Sequence, residues 1–327
     1  METAVPENGT PLFIEKMFEC EKLLTKIIMR KMLHDLCELY KKFLQHQRFA
    51  NAKNDYIKRK RRIDMGVTMY VIINLAVTAV VLFILPLAAV IFWKRRNGEK
   101  VSWKPLFIGA AGFIVSVRVL ELIVHMFCIV MDNPVSRFIN GNTAVYVIYG
   151  IMMAGIFEEC GRYIIIRFLM KKNKTRENMV MYGIGHGGIE VWAISLMAVI
   201  SYLMIAVMVY TEGTENALAA LGMAGGDPAY QLMLDNIAGF GVSTSVLWIA
   251  ERVFCMLIHI SLTLVVFEGI QKGTKKYLLL AIFFHAVVDI MPALYQRGVV
   301  PLYVSEIWLA VCCIALLVWV KRRSQSK

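Results

Sequence analysis

The sequence predicts an all-α fold: a polytopic membrane helix bundle of about seven transmembrane helices, built on a four-helix core and preceded by an N-terminal amphipathic helical extension. Three observations predict it. The 327 residues are 58% hydrophobic with a mean hydropathy of +0.59, well above the roughly 45 to 50% apolar content of soluble domains. Seven runs are long enough to cross about 30 Å of hydrocarbon at about 1.5 Å per residue. The net charge of +12 sits largely in the N-terminal extension and in short basic blocks flanking the apolar runs, where the positive-inside rule and anionic lipid account for it.

Residues 1–62 differ from the rest. They hold fourteen Lys or Arg against eight Asp or Glu, with no Gly or Pro between Leu12 and Arg62. Thr10 can cap a first helix, and Pro11 suits its first position, where the missing N–H costs nothing. Leu24, Ile28, Met32, Leu36, Leu39 and Phe43 recur at three- and four-residue steps and give one apolar stripe. The segment is therefore expected to be a basic amphipathic extension lying on a membrane surface or against another helix. The start METAVPENGT has neither a basic n-region nor a short apolar core, so no cleavable signal peptide is expected.

The bundle, 63–327, follows. Its predicted spans cover about 65–93, 105–130, 143–170, 178–210, 244–267, 277–296 and 302–320, and 143–170, 178–210, 244–267 and 277–296 form the core. Lys171, Lys172, Lys174 and Arg176 mark one cytoplasmic loop, Lys272, Lys275 and Lys276 a second, and Lys321 to Arg323 place the C-terminus inside. Residues 211–243 carry no Lys or Arg and read as an external loop that its Gly and Pro make irregular or short-helical. Lys58 to Arg62 and Lys94 to Lys104 claim opposite ends of the same first span, so the side of the extension stays open. The cysteines include no Cys-x-x-Cys pair and read as free thiols. Nucleic acid is not an expected partner; membrane lipids are, in a bacterial cytoplasmic membrane.

Inside the spans sit Arg118, Glu121, Glu158, Glu159, Arg162, Arg167, Glu190, Glu251, Arg252 and Asp289, with His125, His186, His259 and His285. A charge at a span centre costs roughly 2.5 to 3.5 kcal/mol. Most of these groups must therefore face one another or water, while Arg167 can snorkel. His186, His259 and His285 each lie nine residues from a charge at the cytoplasmic end, or about 13 Å. Glu159 lies twelve residues from Lys171, or about 18 Å. Four helices thus bring polar groups to nearly one level. The pairs Glu158/Arg162, His186/Glu190 and His285/Asp289 are four apart and share helix faces.

Such a cluster permits hydrolysis. A glutamate beside a cation or metal can act as general base, and histidines converging with a glutamate could hold zinc with a fourth position open to water. No His-Glu-x-x-His is present, which excludes the ordinary zincin arrangement. No Gly-x-Ser-x-Gly is present either, and Ser195, Ser201 and Ser261 have no evident paired base.

Phe157-Glu158-Glu159-Cys160-Gly161-Arg162, Gly183-Ile184-Gly185-His186-Gly187-Gly188-Ile189-Glu190, Glu251-Arg252 followed by His259, and His285-Ala286-Val287-Val288-Asp289 resemble the YhfC-type intramembrane metalloproteases. That group is distantly similar to the CAAX-processing, bacteriocin-processing and PrsW-type membrane proteases. The resemblance spans about residues 65–320. It implies a membrane peptidase in which Glu159 or Glu158 activates water, and in which Glu159, His186, His259 and His285 bind metal or orient that water. It also implies that the motif ending at Asp289 polarises the carbonyl. Arg162 would belong to the catalytic set with Glu158, Glu159 and Asp289, and Glu190, Glu251 and Arg252 would support these groups. Arg118 and Glu121 are open between a supporting charge network and the reacting set.

This chain departs from the wider pattern. Arg162 follows Glu159 by three residues rather than four, Tyr182 stands where phenylalanine is usual, and Asp289 replaces asparagine. The expected substrate is a membrane-embedded or membrane-proximal peptide. A proton-coupled exporter, which also uses buried carboxylates and histidines, and a catalytically silent scaffold are the competing classes.

Overall fold

The computed structural model describes residues 66–220 and 228–325. The expected extension at 1–62 lies outside the described residues. Among the described residues the chain forms ten helices and no strand: α1 Met69–Asn97, α2 Lys104–Val130, α3 Pro134–Gly141, α4 Thr143–Leu169, α5 Arg176–Glu212, α6 Thr214–Ala220, α7 Pro228–Ala238, α8 Val242–Gln271, α9 Lys276–Gln296 and α10 Leu302–Gln325. Seven of them, α1, α2, α4, α5, α8, α9 and α10, are long and apolar enough to cross a membrane. The protein is thus a multi-pass membrane helix bundle, and the spans fall where the apolar runs place them. Of the two forms open to the segment between α5 and α8, irregular or short-helical, the described residues show the second, as α6 and α7.

The spanning helices leave large hydrophobic side chains exposed, such as Phe83, Phe107, Leu279 and Ile314, as a bundle surrounded by lipid rather than water requires. The core instead holds an unusual share of charge and imidazole, including Glu158, Glu159, Arg162, His186, Arg252, His259, His285 and Glu306.

Glycine determines how closely the core helices approach. α5 begins on Thr175, whose hydroxyl accepts from the Asn178 backbone N–H, and then runs through four glycines in six residues. Each glycine in an exposed helix would cost about 1 kcal/mol relative to alanine; here each accommodates a neighbour. A β-carbon on Gly183 would lie 2.7 Å from the Ile260 Cα, and one on Gly187 3.1 Å from the Met256 Cα, both on α8. Gly185 abuts the Leu106 backbone of α2, and Gly188 faces Pro86 of α1 at 3.0 Å. α5 therefore packs against three helices at once. Gly155 does the same for α4 against α9, where a β-carbon would sit 3.1 Å from the Ile282 carbonyl oxygen.

The basic end of the bundle is tied together by the Trp93 indole donating to the Glu177 carbonyl at 3.0 Å and the Ser102 N–H donating to the Asn178 side chain at 2.9 Å. Two membrane helices depart from regular α geometry beside polar groups. α2 widens to π-helical turns over Ile114–Glu121 and Met126–Val130, and α5 does so over Val191–Leu196, beginning one residue after Glu190. Such turns are frequent where a helix must present functional side chains.

Candidate metal and catalytic centre

The close approach of α4, α5, α8 and α9 brings Glu158, Glu159, Arg162, His186, Glu190, Arg252, His259, His285 and Asp289 into one connected cluster. Its two adjacent glutamates take different environments, as their roughly 100° separation on α4 requires. Glu159 is fully buried, pairs with Arg162 one turn along α4, and accepts from His285 Nδ1 at 2.8 Å. Its second oxygen, Oε2, is buried and without a hydrogen-bond partner among the described residues. Glu158 instead turns toward the imidazoles. Its Oε2 lies 2.9 Å from His186 Nε2 and 3.6 Å from His259 Nδ1, and its Oε1 lies 3.8 Å from His285 Nε2.

A network of carboxylates and cations surrounds these groups. His259 Nε2 stands 2.5 Å from Glu190 Oε2, close enough for an ion pair although the alignment is not that of a hydrogen bond. Arg252 Nη1 donates to Glu190 Oε1 at 3.1 Å and also pairs with Glu251. His285 Nε2 faces Asp289 Oδ2 at 3.4 Å. Rings pack around the cluster as well. Phe113 of α2 meets His186 edge-on at 5.3 Å, and the ring centroids of His186 and His259 are 5.0 Å apart. Apolar walls of this kind lower the local dielectric and strengthen each charge interaction.

Glu158, His186 and His259 are buried and offer ligand atoms all within 4.8 Å of one another. The donor chemistry fits a divalent ion. Tetrahedral zinc with arms of about 2.0 to 2.1 Å needs donors about 3.3 Å apart, and the 2.9 and 3.6 Å separations bracket that value. Glu190 beyond His259 supplies the carboxylate that commonly orients a ligating imidazole. One contact competes: Arg162 Nη2 lies 3.0 Å from His259 Nδ1, and an ion using that nitrogen would displace it.

The placement differs in detail from the expected ligand set. Glu159 and His285 belong to the same cluster, yet Glu159 is engaged by His285 and Arg162, while Glu158 faces His186 and His259. Arg118 lies apart; it is exposed on α2 and makes no ion pair among the described residues. Glu121 is buried but pairs with His125 Nε2 at 3.1 Å, and His125 Nδ1 meets the Tyr149 hydroxyl at 2.8 Å, a separate group. The sequence reading passes over Glu306, which is 7% exposed on α10. The signal was available: a lone carboxylate in the apolar run from Leu302.

The sequence profile of the YhfC intramembrane metalloproteases matches residues 80–312. The uncharacterized membrane protein YhfC of Bacillus subtilis (strain 168) is 31% identical over 266 residues, covering 77% of this chain and 95% of that protein. No solved structure matches.

Proposed function

The chain belongs to the YhfC intramembrane metalloprotease family, and from that premise we propose that it hydrolyses a peptide bond within the bilayer, at the cluster where α4, α5, α8 and α9 meet. The observation that carries the reading is the buried trio Glu158, His186 and His259, with Glu159 beside it. The trio would hold a divalent ion, zinc by its donor set. When bound, such an ion polarises a carbonyl and lowers the pKa of a bound water.

The protein's own groups do the remainder. Glu159 is the general base: Arg162 and His285 fix its Oε1, which leaves Oε2 to take a proton from water as its oxygen attacks the carbonyl carbon. The proton is then delivered to the departing amide nitrogen as the C–N bond breaks, leaving a carboxylic acid and an amine. His285, held between Glu159 and Asp289, orients the base. Glu190 and Arg252 position His259.

The test is reconstitution of the full chain in lipid vesicles with a library of quenched apolar peptides. Cleavage by the wild-type chain that disappears in Glu158→Ala and in Glu159→Gln, with both variants monodisperse and folded, supports the reading. Cleavage that persists in both would remove it.

A further inference from the structure

Among the described residues, Arg118 is the mid-span charge that the polar core leaves out. It lies fourteen residues after the start of α2 and twelve before its end, about 21 and 18 Å at 1.5 Å per residue. That is near the middle of a hydrocarbon layer about 30 Å thick. Arg167 can snorkel because Lys171 is four residues away; from the depth of Arg118 neither surface is in reach. The side chain is exposed and makes no ion pair or hydrogen bond among the described residues. Glu121, three residues on, would share its face in a regular α-helix. The turn that holds both is π-helical, however, and Glu121 faces inward, 4% exposed, to His125.

The surface around Arg118 is apolar. Val115, Val119, Leu122 and Met126 follow one another at three- and four-residue steps and are all exposed, and α2 is the span its neighbours cover least. A cation in such a stripe at the bilayer centre is costly without a counter-ion. The face therefore calls for one carboxylate at that depth, carried by something apolar enough to lie along the stripe. Lipid does not supply it, since headgroup phosphates stand at the two surfaces. A second copy offers none: among the described residues, the carboxylates inside the spans and away from their ends are buried or already face an imidazole or an arginine.

The depth of Arg118 is also that of the reacting groups. Ser116 of α2 packs on Gly161 of α4, where a β-carbon would lie 2.0 Å from the serine Oγ. α2 starts and α4 ends at the basic end of the bundle, so the two helices are antiparallel. Arg118, two residues after Ser116, and Glu158, three before Gly161, thus lie about 3 and 4.5 Å from this contact in the same direction. Phe113, on the same helix as Arg118, meets His186. One wall, α2 with α4, therefore separates the centre from the unpaired arginine.

We propose that the outer face of α2 around Arg118 docks the substrate's membrane-spanning helix, one that carries an aspartate or glutamate near its middle. This deepens the peptidase reading and rests on it for the word substrate; the docking face itself does not depend on cleavage. The guanidinium fork matches a carboxylate in geometry and charge, while Val115, Val119, Leu122 and Met126 pack against the apolar side chains one turn to either side. The face would select acidic mid-membrane helices over uniformly apolar ones and hold them at the level of the centre.

The test uses the full chain carrying Glu159→Gln, so that the probes stay intact, in lipid vesicles. Its probes are labelled apolar spanning peptides of about 20 residues with aspartate or leucine at the centre, and a third with the aspartate two turns off centre. Energy transfer from the labelled chain is expected to show the central-aspartate peptide binding about tenfold tighter than the leucine peptide, with the displaced aspartate giving less than half of that gain. In Arg118→Leu, which continues the apolar stripe and so should fold, the aspartate-to-leucine ratio should fall to about two or less, and Arg118→Lys should restore part of it. Equal binding of all the peptides, binding of none, or a ratio that survives Arg118→Leu would overturn the docking face. Transfer between two differently labelled copies that is lost in Arg118→Leu would put a second copy on the face and overturn it equally. Cleavage by the chain with Glu159 intact is scored separately. An acidic preference without cleavage would count against the peptidase reading alone, and cleavage without an acidic preference would count against the docking face alone.

Discussion

Two groups in the bundle carry the same signature, a histidine one helical turn from a carboxylate, and they end in different places. His285 and Asp289 on α9 join Glu158 and Glu159 from α4, with His186 and His259 adjoining from α5 and α8. Glu121 and His125 on α2 meet each other and Tyr149, and the His125 side chain is 33% exposed. Spacing of four shows that two side chains share a helix face; what that face meets is decided by the neighbouring helices. In the first group the neighbours come close because Gly183, Gly187 and Gly155 let them. Chemistry therefore follows the number of helices that converge rather than the motif on any single one.

The largest effect should separate the two groups outright. Glu158→Ala is expected to lower peptide cleavage by at least about 10³-fold, within the range for losing an essential reacting group, while His125→Ala should leave the rate within about threefold. Cleavage kinetics on vesicle-reconstituted protein check both, and equal losses would erase the distinction.

Next is the packing that creates the convergence. Gly183→Leu drives a side chain into the Ile260 backbone and should destabilise the bundle by about 1 to 3 kcal/mol. Gly150→Leu, where nothing lies within 4 Å, should be close to neutral. Thermal unfolding in detergent measures the difference.

Glu190→Gln removes the charge that orients His259 and partners Arg252. A tenfold to hundredfold loss of metal affinity or rate is expected, the usual cost of losing such a partner.

The smallest effect belongs to the satellite group. Its histidine is partly solvated, so His125→Phe should change stability by no more than about 1 kcal/mol. A larger drop in the unfolding temperature would mean that Glu121 and Tyr149 hold α2 to α4 more firmly than their exposure indicates.

The sequence made the spans, their order and the depth of the polar level legible, because apolar length and buried charge are one-dimensional signals. Division of labour between Glu158 and Glu159 was not legible. It depends on which way α4 is rotated, and hence on the Gly155 contact with α9 and the Gly161 contact with Ser116 of α2. Glu306 was missed because it stands four residues inside its helix, where a charge reads as belonging to the interface. Arg118 was grouped with the buried charges since it sits mid-span, but the π-helical turn that contains it also holds Glu121, which faces inward while Arg118 stays exposed.

The metal content of protein purified in detergent without added metal bears most directly on the shared centre. One divalent ion per chain is expected in the wild type and in His125→Ala, with the ion lost in Glu158→Ala and in His186→Ala while both variants remain folded. Equal content in all four proteins, or an ion retained by both ligand variants, would contradict a site built by Glu158, His186 and His259.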